Sequence, residues 1–256
     1  MSEVILKTTN LTKQYDKIRV VDQVSLTIEK GDIYGFIGEN GAGKTTFMRM
    51  VSGLTFPTSG SLELFGISSL KELSEARRRM GTIIEHPALF NNMTAMENLV
   101  VQRRYLNLRT GANEKEEMQQ LLELVGLSNV GKQKAGKFSL GMRQRLGLAI
   151  ALTGNPEFLM LDEPTIGLDP VGVMELRELL LKLNKKQKVT ILVSSHNLSE
   201  LTQIASKYGF LHKGKLLEQS EAKEVSASCE KKGIQLETYF LELLKNVAKS
   251  ERGIPE

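Results

Sequence analysis

The sequence predicts an α/β fold in which a parallel sheet is interrupted by a helical insert, and three observations carry that expectation. An apolar run, "IYGFIG", stops at a glycine-rich loop and is followed at once by a helix-period segment. Two further short apolar runs, "EFLMLDEP" and "VTILVSSH", are separated by a segment opening at Pro170, a residue suited to the first turn of a helix. Such alternation of strand and helix is the pattern of a parallel sheet. Between these regions, from about His86 to Asn155, the chain reads as helical.

Taken in order, the first thirty residues alternate in short β-like pieces, "VSLTI" among them, ending at Gly31. The run that stops at Gly38 has the unbroken apolar character of a buried strand. A helix is expected from Lys44 to about Val51, with Gly53 as its C-terminal stop. In the insert, "TAMENLVVQRRYL" opens with a capping box, Thr94 and Glu97. "NEKEEMQQLLELVG" places Asn113 before apolar Met118, Leu121, Leu122 and Val125 at helical spacing, then Gly126. "KFSLGMRQRLGLAIALTG" is a helix capped by Ser139, whose first turn offers free backbone N–H groups to an anion. After the second strand–helix–strand series, "GFLHKGKLLEQ" reads as a hairpin turning at Lys213-Gly214, and "LETYFLELLKNVAK" as a last helix.

Composition narrows the function classes. A chain of 256 residues that is 41% hydrophobic buries a full core. Its single cysteine, Cys229, excludes an internal disulfide and a Cys-only metal site, and a reducing compartment such as the cytoplasm is expected. The segment "MSEVILKTTN" lacks the pattern of a secretory signal, and no run approaches the roughly 18 apolar residues of a membrane span. The net charge of +4 is mild, and the clusters Arg77-Arg78-Arg79 and Lys185-Lys186 are short enough to be solvated helix faces. With no Trp and no basic patch interleaved with aromatics, no nucleic-acid partner is expected.

The chemistry is concentrated at strand ends. "GENGAGKTT", Gly38 to Thr46, sets two glycines before a lysine and a hydroxyl residue. Its glycines let backbone N–H groups wrap a polyphosphate, Lys44 adds a cation, and Thr45 supplies a hydroxyl to Mg²⁺. "FLMLDEP" ends a buried strand in two carboxylates, Asp162 and Glu163, which strand alternation sends to opposite faces and so to different tasks. One is expected to hold a metal and the other to meet water. "LVSSHN" adds His196 at another strand end, where open α/β sheets bind ligands.

With "GENGAGKTT", "SLGMRQ", "LMLDEP", "GLD" at Gly167 to Asp169 and His196 in this order, the chain resembles the ATP-binding cassette ATPases over nearly its whole length. The resemblance implies a P-loop NTPase with a RecA-like parallel sheet, an antiparallel β subdomain and a helical signature subdomain. It places the ATPase domain at about 4–230, with the RecA-like lobe at about 1–85 and 156–216, the signature subdomain at 86–155, and a helical tail at 231–256. It also implies that two copies pair head to tail, so that Ser139 and Gly141 of one copy meet the γ-phosphate held by the other. Tyr15 would stack on adenine, and Gly38, Asn40, Gly41, Ala42, Gly43, Lys44, Thr45 and Thr46 would bind the phosphates. Thr45, Glu85 and Asp162 would hold Mg²⁺, Glu163 would be the general base, Lys44 would assist catalysis, His196 would contact the γ-phosphate and help to hold water in line, and Asp169 would communicate across the pair. A separate polytopic permease is the implied partner, docked near residues 85–105 with Phe90 as a contact, which places the chain peripherally on the cytoplasmic face of the membrane.

Two departures refine the resemblance. The signature reads Ser139-Leu140-Gly141-Met142-Arg143, where the commonest form has two glycines and Gln. Glu85, in "GTIIEHPALF", stands in the place of the usual metal-sensing glutamine and adds a charge beside the γ-phosphate. Together with "IIEHPALF" and the tail "LETYFLELL", they resemble the ATPase subunits of bacitracin and lantibiotic self-protection transporters. That resemblance implies an antimicrobial peptide as cargo; the alternatives are the ATPase of another small-molecule or ion exporter, or a soluble non-transport cassette acting on ribosomes or DNA.

Overall fold

The computed structural model describes residues 3–108, 111 and 113–251. Residues 1, 2 and 252–256, at the outer edges of the expected lobe and tail, lie outside the described residues. Two sheets organise the chain. The first is antiparallel, in the order β2-β1-β4, formed by β1 (Val4–Tyr15), β2 (Ile18–Glu29) and β4 (Ser59–Leu64). The second has the order β5-β6-β7-β3-β8-β9. It comprises β3 (Ile33–Gly38), β5 (Met80–Ile83), β6 (Phe158–Asp162), β7 (Thr190–Ser195), β8 (Lys207–His212) and β9 (Lys215–Glu221). All its neighbours run parallel except β8 and β9, the expected hairpin, which turns through Lys213 and Gly214 in left-handed backbone.

Side-chain alternation along the central strands separates two cores. Ile33, Ile37, Leu159, Leu161, Ile191 and Val193 face one side, where they join Leu99, Leu146 and Leu180 from helices. Tyr34, Phe36, Phe158, Met160 and Leu192 face the other, against Phe47, Met48 and Val51 of α1 (Lys44–Ser52) and Leu6, Leu26 and Leu64 of the antiparallel sheet. The sheet is covered on both faces, which is why its strands read as continuous apolar runs.

The insert holds α3 (Ala95–Tyr105), α4 (Glu114–Leu124) and α5 (Leu140–Leu152). The Thr94–Glu97 capping box is present in both directions, with Thr94 N donating to Glu97 Oε2 at 2.7 Å and Glu97 N to Thr94 Oγ1 at 3.2 Å. Asn113 precedes α4 without a side-chain cap. Further helices are α2 (Leu70–Ala76), α6 (Pro170–Gln187), α7 (Leu198–Leu201), α8 (Ala222–Lys232) and α9 (Leu236–Glu251). α9 is anchored where Phe240 stacks on Phe210 of β8 at 5.7 Å between centroids.

The N-terminal region departs from the expected short pieces. It forms two 12-residue strands joined at Tyr15–Ile18. Asn10 and Gln23 adopt positive φ within the strands and Asp16 in the turn between them, and register shifts bend the ladder, so the polar interruptions at Asn10 and Gln23 are irregularities inside long strands.

Candidate active site

Strand β3 delivers residues 39–43 to the mouth of the sheet, and α1 starts directly behind them. Gly43 is the N-cap of α1, with φ 105°, and no side chain caps the helix. A Cβ at Gly43 would lie 2.4 Å from the Val20 carbonyl oxygen, so only glycine lets the loop tuck beneath β2. The uncapped first turn leaves N–H groups directed into a cleft lined by Val20, residues 39–46 and Glu163. Lys44, only 6% exposed, donates to the carbonyls of Gly38 at 2.6 Å and Glu39 at 3.3 Å.

Beside the loop, the ends of β6 and β7 bring up two carboxylates with distinct partners. Thr45 Oγ1 donates to Asp162 Oδ2 at 2.7 Å, and Ser194 Oγ donates to Asp162 Oδ1 at 2.6 Å. Glu163 Oε1 lies 3.1 Å from Lys44 Nζ, and Glu163 Oε2 lies 2.8 Å from His196 Nδ1. With the proton on Nδ1 the imidazole donates to the carboxylate and turns Nε2 outward. The expectation that Asp162 and Glu163 point to opposite faces is corrected here. β6 ends at Asp162, and Glu163 adopts φ 47°, so strand alternation no longer applies and both carboxylates meet side chains from the first turn of α1, Thr45 and Lys44. Holding a non-glycine residue in left-handed backbone costs about 1–2 kcal/mol.

Ser194 escaped sequence reasoning. Its fully buried hydroxyl donates to Asp162 and accepts the Glu163 backbone N–H at 2.9 Å, fixing both acids from one atom. The available signal was its place two residues before His196 in "LVSSHN", but a serine at the end of an apolar strand has no pattern of its own.

Of the predicted residues, Lys44, Thr45, Asp162, Glu163 and His196 meet through their side chains, and Asn40, Gly41, Ala42, Gly43 and Thr46 line the same cleft. Others stand apart from the loop's cleft. Ser139 caps α5, accepting from Met142 N at 3.2 Å, and Gly141 lies against Leu168. The side chain of Leu140 packs over Gly167, where a Cβ would come within 2.0 Å of it. The start of the signature helix is thus seated on the 167–169 segment, and Asp169 caps α6 by accepting from Gly172 N at 2.8 Å. Tyr15 is exposed at the end of β1, with Lys13 Nζ 4.9 Å from its ring centroid. Glu85, at φ 62°, accepts from Arg49 Nη2 at 2.7 Å on the surface.

A buried lysine, a strand-end acid bonded to the loop hydroxyl and a second acid braced by histidine form an arrangement for phosphoanhydride hydrolysis. The family model described as ABC transporter matches residues 21–166, more than half of the chain and a span that includes the loop, the signature helix and both acids. The chain belongs to the ABC transporter family. It is an ATP-binding cassette whose hydrolysis of ATP is coupled to transport. The chain is 49% identical over 215 residues to the bacitracin transport ATP-binding protein BcrA of Bacillus licheniformis, covering 84% of this chain and 69% of that protein. It is 43% identical over 218 residues to the lantibiotic transport ATP-binding protein SrtF of Streptococcus pyogenes, covering 85% and 91% respectively. Among solved structures, a dimeric post-hydrolysis ATP-binding cassette bound to ADP and Pi superposes with a TM-score of 0.79 at 25% identity, covering 85% of this chain and 99% of that one.

Proposed function

We propose that this cassette works as a head-to-tail pair on the cytoplasmic face of a polytopic permease, and that the transporter expels or removes an antimicrobial peptide. The observation that carries the reading is the division of the site. One chain gathers Lys44, Asp162, Glu163 and His196 around the loop, while Ser139 and Gly141 lie outside its cleft, at the start of a helix whose Ser139 side chain caps Met142 N. A second copy completes each site by presenting that helix start to the terminal phosphate. The dimeric ADP- and Pi-bound cassette supports the pairing, and the BcrA and SrtF names support the cargo class.

In this reading the loop N–H groups and Lys44 bind the phosphates, with Lys44 exchanging its carbonyl and Glu163 contacts for phosphate oxygens. Thr45 and Asp162, oxygen donors already 2.7 Å apart, fit a hard cation such as Mg²⁺, whose charge would neutralise the phosphates. Glu163, released from Lys44, accepts the proton of the attacking water, and His196 orients that carboxylate. Tyr15, on the exposed end of β1, takes the adenine ring, and Asp169 meets the second copy. Glu85, paired with Arg49 at 2.7 Å, would have to leave that partner to help hold a metal ion. The permease docks near Phe90 and Tyr105, both exposed.

The test is to tag the chain, extract it gently from its host's membranes and identify co-purifying proteins by mass spectrometry. A polytopic membrane protein in stoichiometric amount, with hydrolysis stimulated by bacitracin or a lantibiotic, is the expected result. Ribosomal or DNA-repair partners with no membrane protein would overturn the transporter assignment.

A further inference from the structure

The segments that follow Glu163 and His196 meet a second time, beyond the contact between those two side chains. From the end of β6 the chain runs through Glu163 and Pro164 to Thr165, and from the end of β7 through His196 and Asn197 into α7. Glu200 of α7 touches both. Its Oε2 accepts from Thr165 Oγ1 at 2.7 Å, and its Oε1 accepts from Asn197 Nδ2 at 3.0 Å. A carboxylate suits this task, because each oxygen accepts and can serve a different donor. The usual work of a glutamate at this position is done by another residue. Glu200 is third in α7, from where a glutamate ordinarily turns back to the backbone N–H of the N-cap residue. That N–H, on Asn197, donates instead to Ser195 Oγ at 2.9 Å, which leaves the carboxylate to reach Thr165.

Thr165 lies just past the left-handed backbone of Glu163, a conformation that persists only where neighbouring contacts hold it. Ser194 holds the near side through the Glu163 N–H at 2.9 Å, and Glu200 holds the far side through Thr165. Thr165 and Glu200 also line a cleft of about 180 Å³ with Val173, Leu180 and Ile204, so close packing does not replace their bond on that side. We propose that Glu200 is a positioning residue for ATP hydrolysis. It ties the segment after Glu163 to the segment after His196, and so keeps the carboxylate–imidazole pair aligned on the attacking water. It acts through that pair and touches no reacting atom. The inference rests on the reading of Glu163 as the general base.

The experiment is steady-state ATP hydrolysis by the full chain with Mg²⁺, with ATP binding measured beside it. Thr165→Val, which removes one hydroxyl at nearly constant volume, and Glu200→Ala should each lower kcat roughly tenfold or more. KM and ATP binding should stay within about twofold. The double variant should be no slower than the slower single one, because both cut the same bridge. Glu200→Gln should return kcat to within about threefold of the unaltered chain, since the amide oxygen accepts from Asn197 and the amide N–H donates to the Thr165 hydroxyl. In a Glu163→Gln background, neither Thr165→Val nor Glu200→Ala should slow the residual rate further. Glu163→Gln alone tests the base, and if it turns over normally the base and the proposal fall together. With Glu163→Gln slow, the proposal alone is overturned by an unchanged kcat in Thr165→Val, by additive losses in the double variant, by no rescue with Gln, or by a further loss in the Glu163→Gln background. Should Glu200→Ala fail to bind ATP, Thr165→Val decides the question, and loss of ATP binding in both would show a structural role and overturn it.

Discussion

Ser194 shows how much of the active-site geometry rests on a residue without a motif of its own. Its hydroxyl joins Asp162 Oδ1 to the Glu163 backbone N–H, and its removal strands a buried carboxylate oxygen and a backbone donor at once. Ser194→Ala is expected to destabilise the fold by about 1–3 kcal/mol and to slow hydrolysis as both acids lose their alignment. Thermal melting and steady-state turnover check this, and unchanged values in both would show that the hydroxyl is dispensable. The acids themselves were legible from their place after "FLML", because carboxylates at the end of an apolar strand have few structural uses. Their relative orientation was not legible. It depends on the left-handed backbone at Glu163, which no side-chain periodicity announces.

Among the elements, those with chemical punctuation were the easiest to read. The Thr94–Glu97 box, Gly53 after α1 and Pro170 at the start of α6 each supply or forgo a specific hydrogen bond, and all three mark helix ends in the structure. Two hydrogen bonds from Thr94 and its backbone also hold the Glu97 carboxyl below its usual range. Thr94→Ala is expected to cost about 1 kcal/mol, a fall of about 2–4 °C in melting temperature for a chain of this size. Scanning calorimetry checks it, and an unshifted transition would mean that packing of Ala95 and Leu99 alone sets the start of α3. The stretch between Gly53 and Glu85 was harder to read, because β4, α2 and β5 are 6, 7 and 4 residues long. Elements so short do not complete enough periods to separate strand from helix. The long strands β1 and β2 were obscured for the opposite reason, since bulges break the alternation within them.

At the scale of the whole molecule, the proposed pairing gives a sharp expectation for Glu163→Gln. Hydrolysis should fall roughly 10²–10⁴-fold while ATP still binds, so the ATP-bound pair should accumulate. Light scattering with saturating ATP and Mg²⁺ checks the mass. A strictly monomeric species, or turnover equal to that of the unaltered chain, would remove either the pairing or the base from the account. No single-chain reading of the sequence shows such an assembly directly, since periodicity reports only what a chain buries against itself. The contact of Leu140 with the bare backbone of Gly167 bears on how such a pair would behave. It makes one stiff piece of two segments almost thirty positions apart. In the proposed twofold pair, a displacement of either segment would be passed directly to the other, because Leu140 leaves no gap over Gly167 to absorb it.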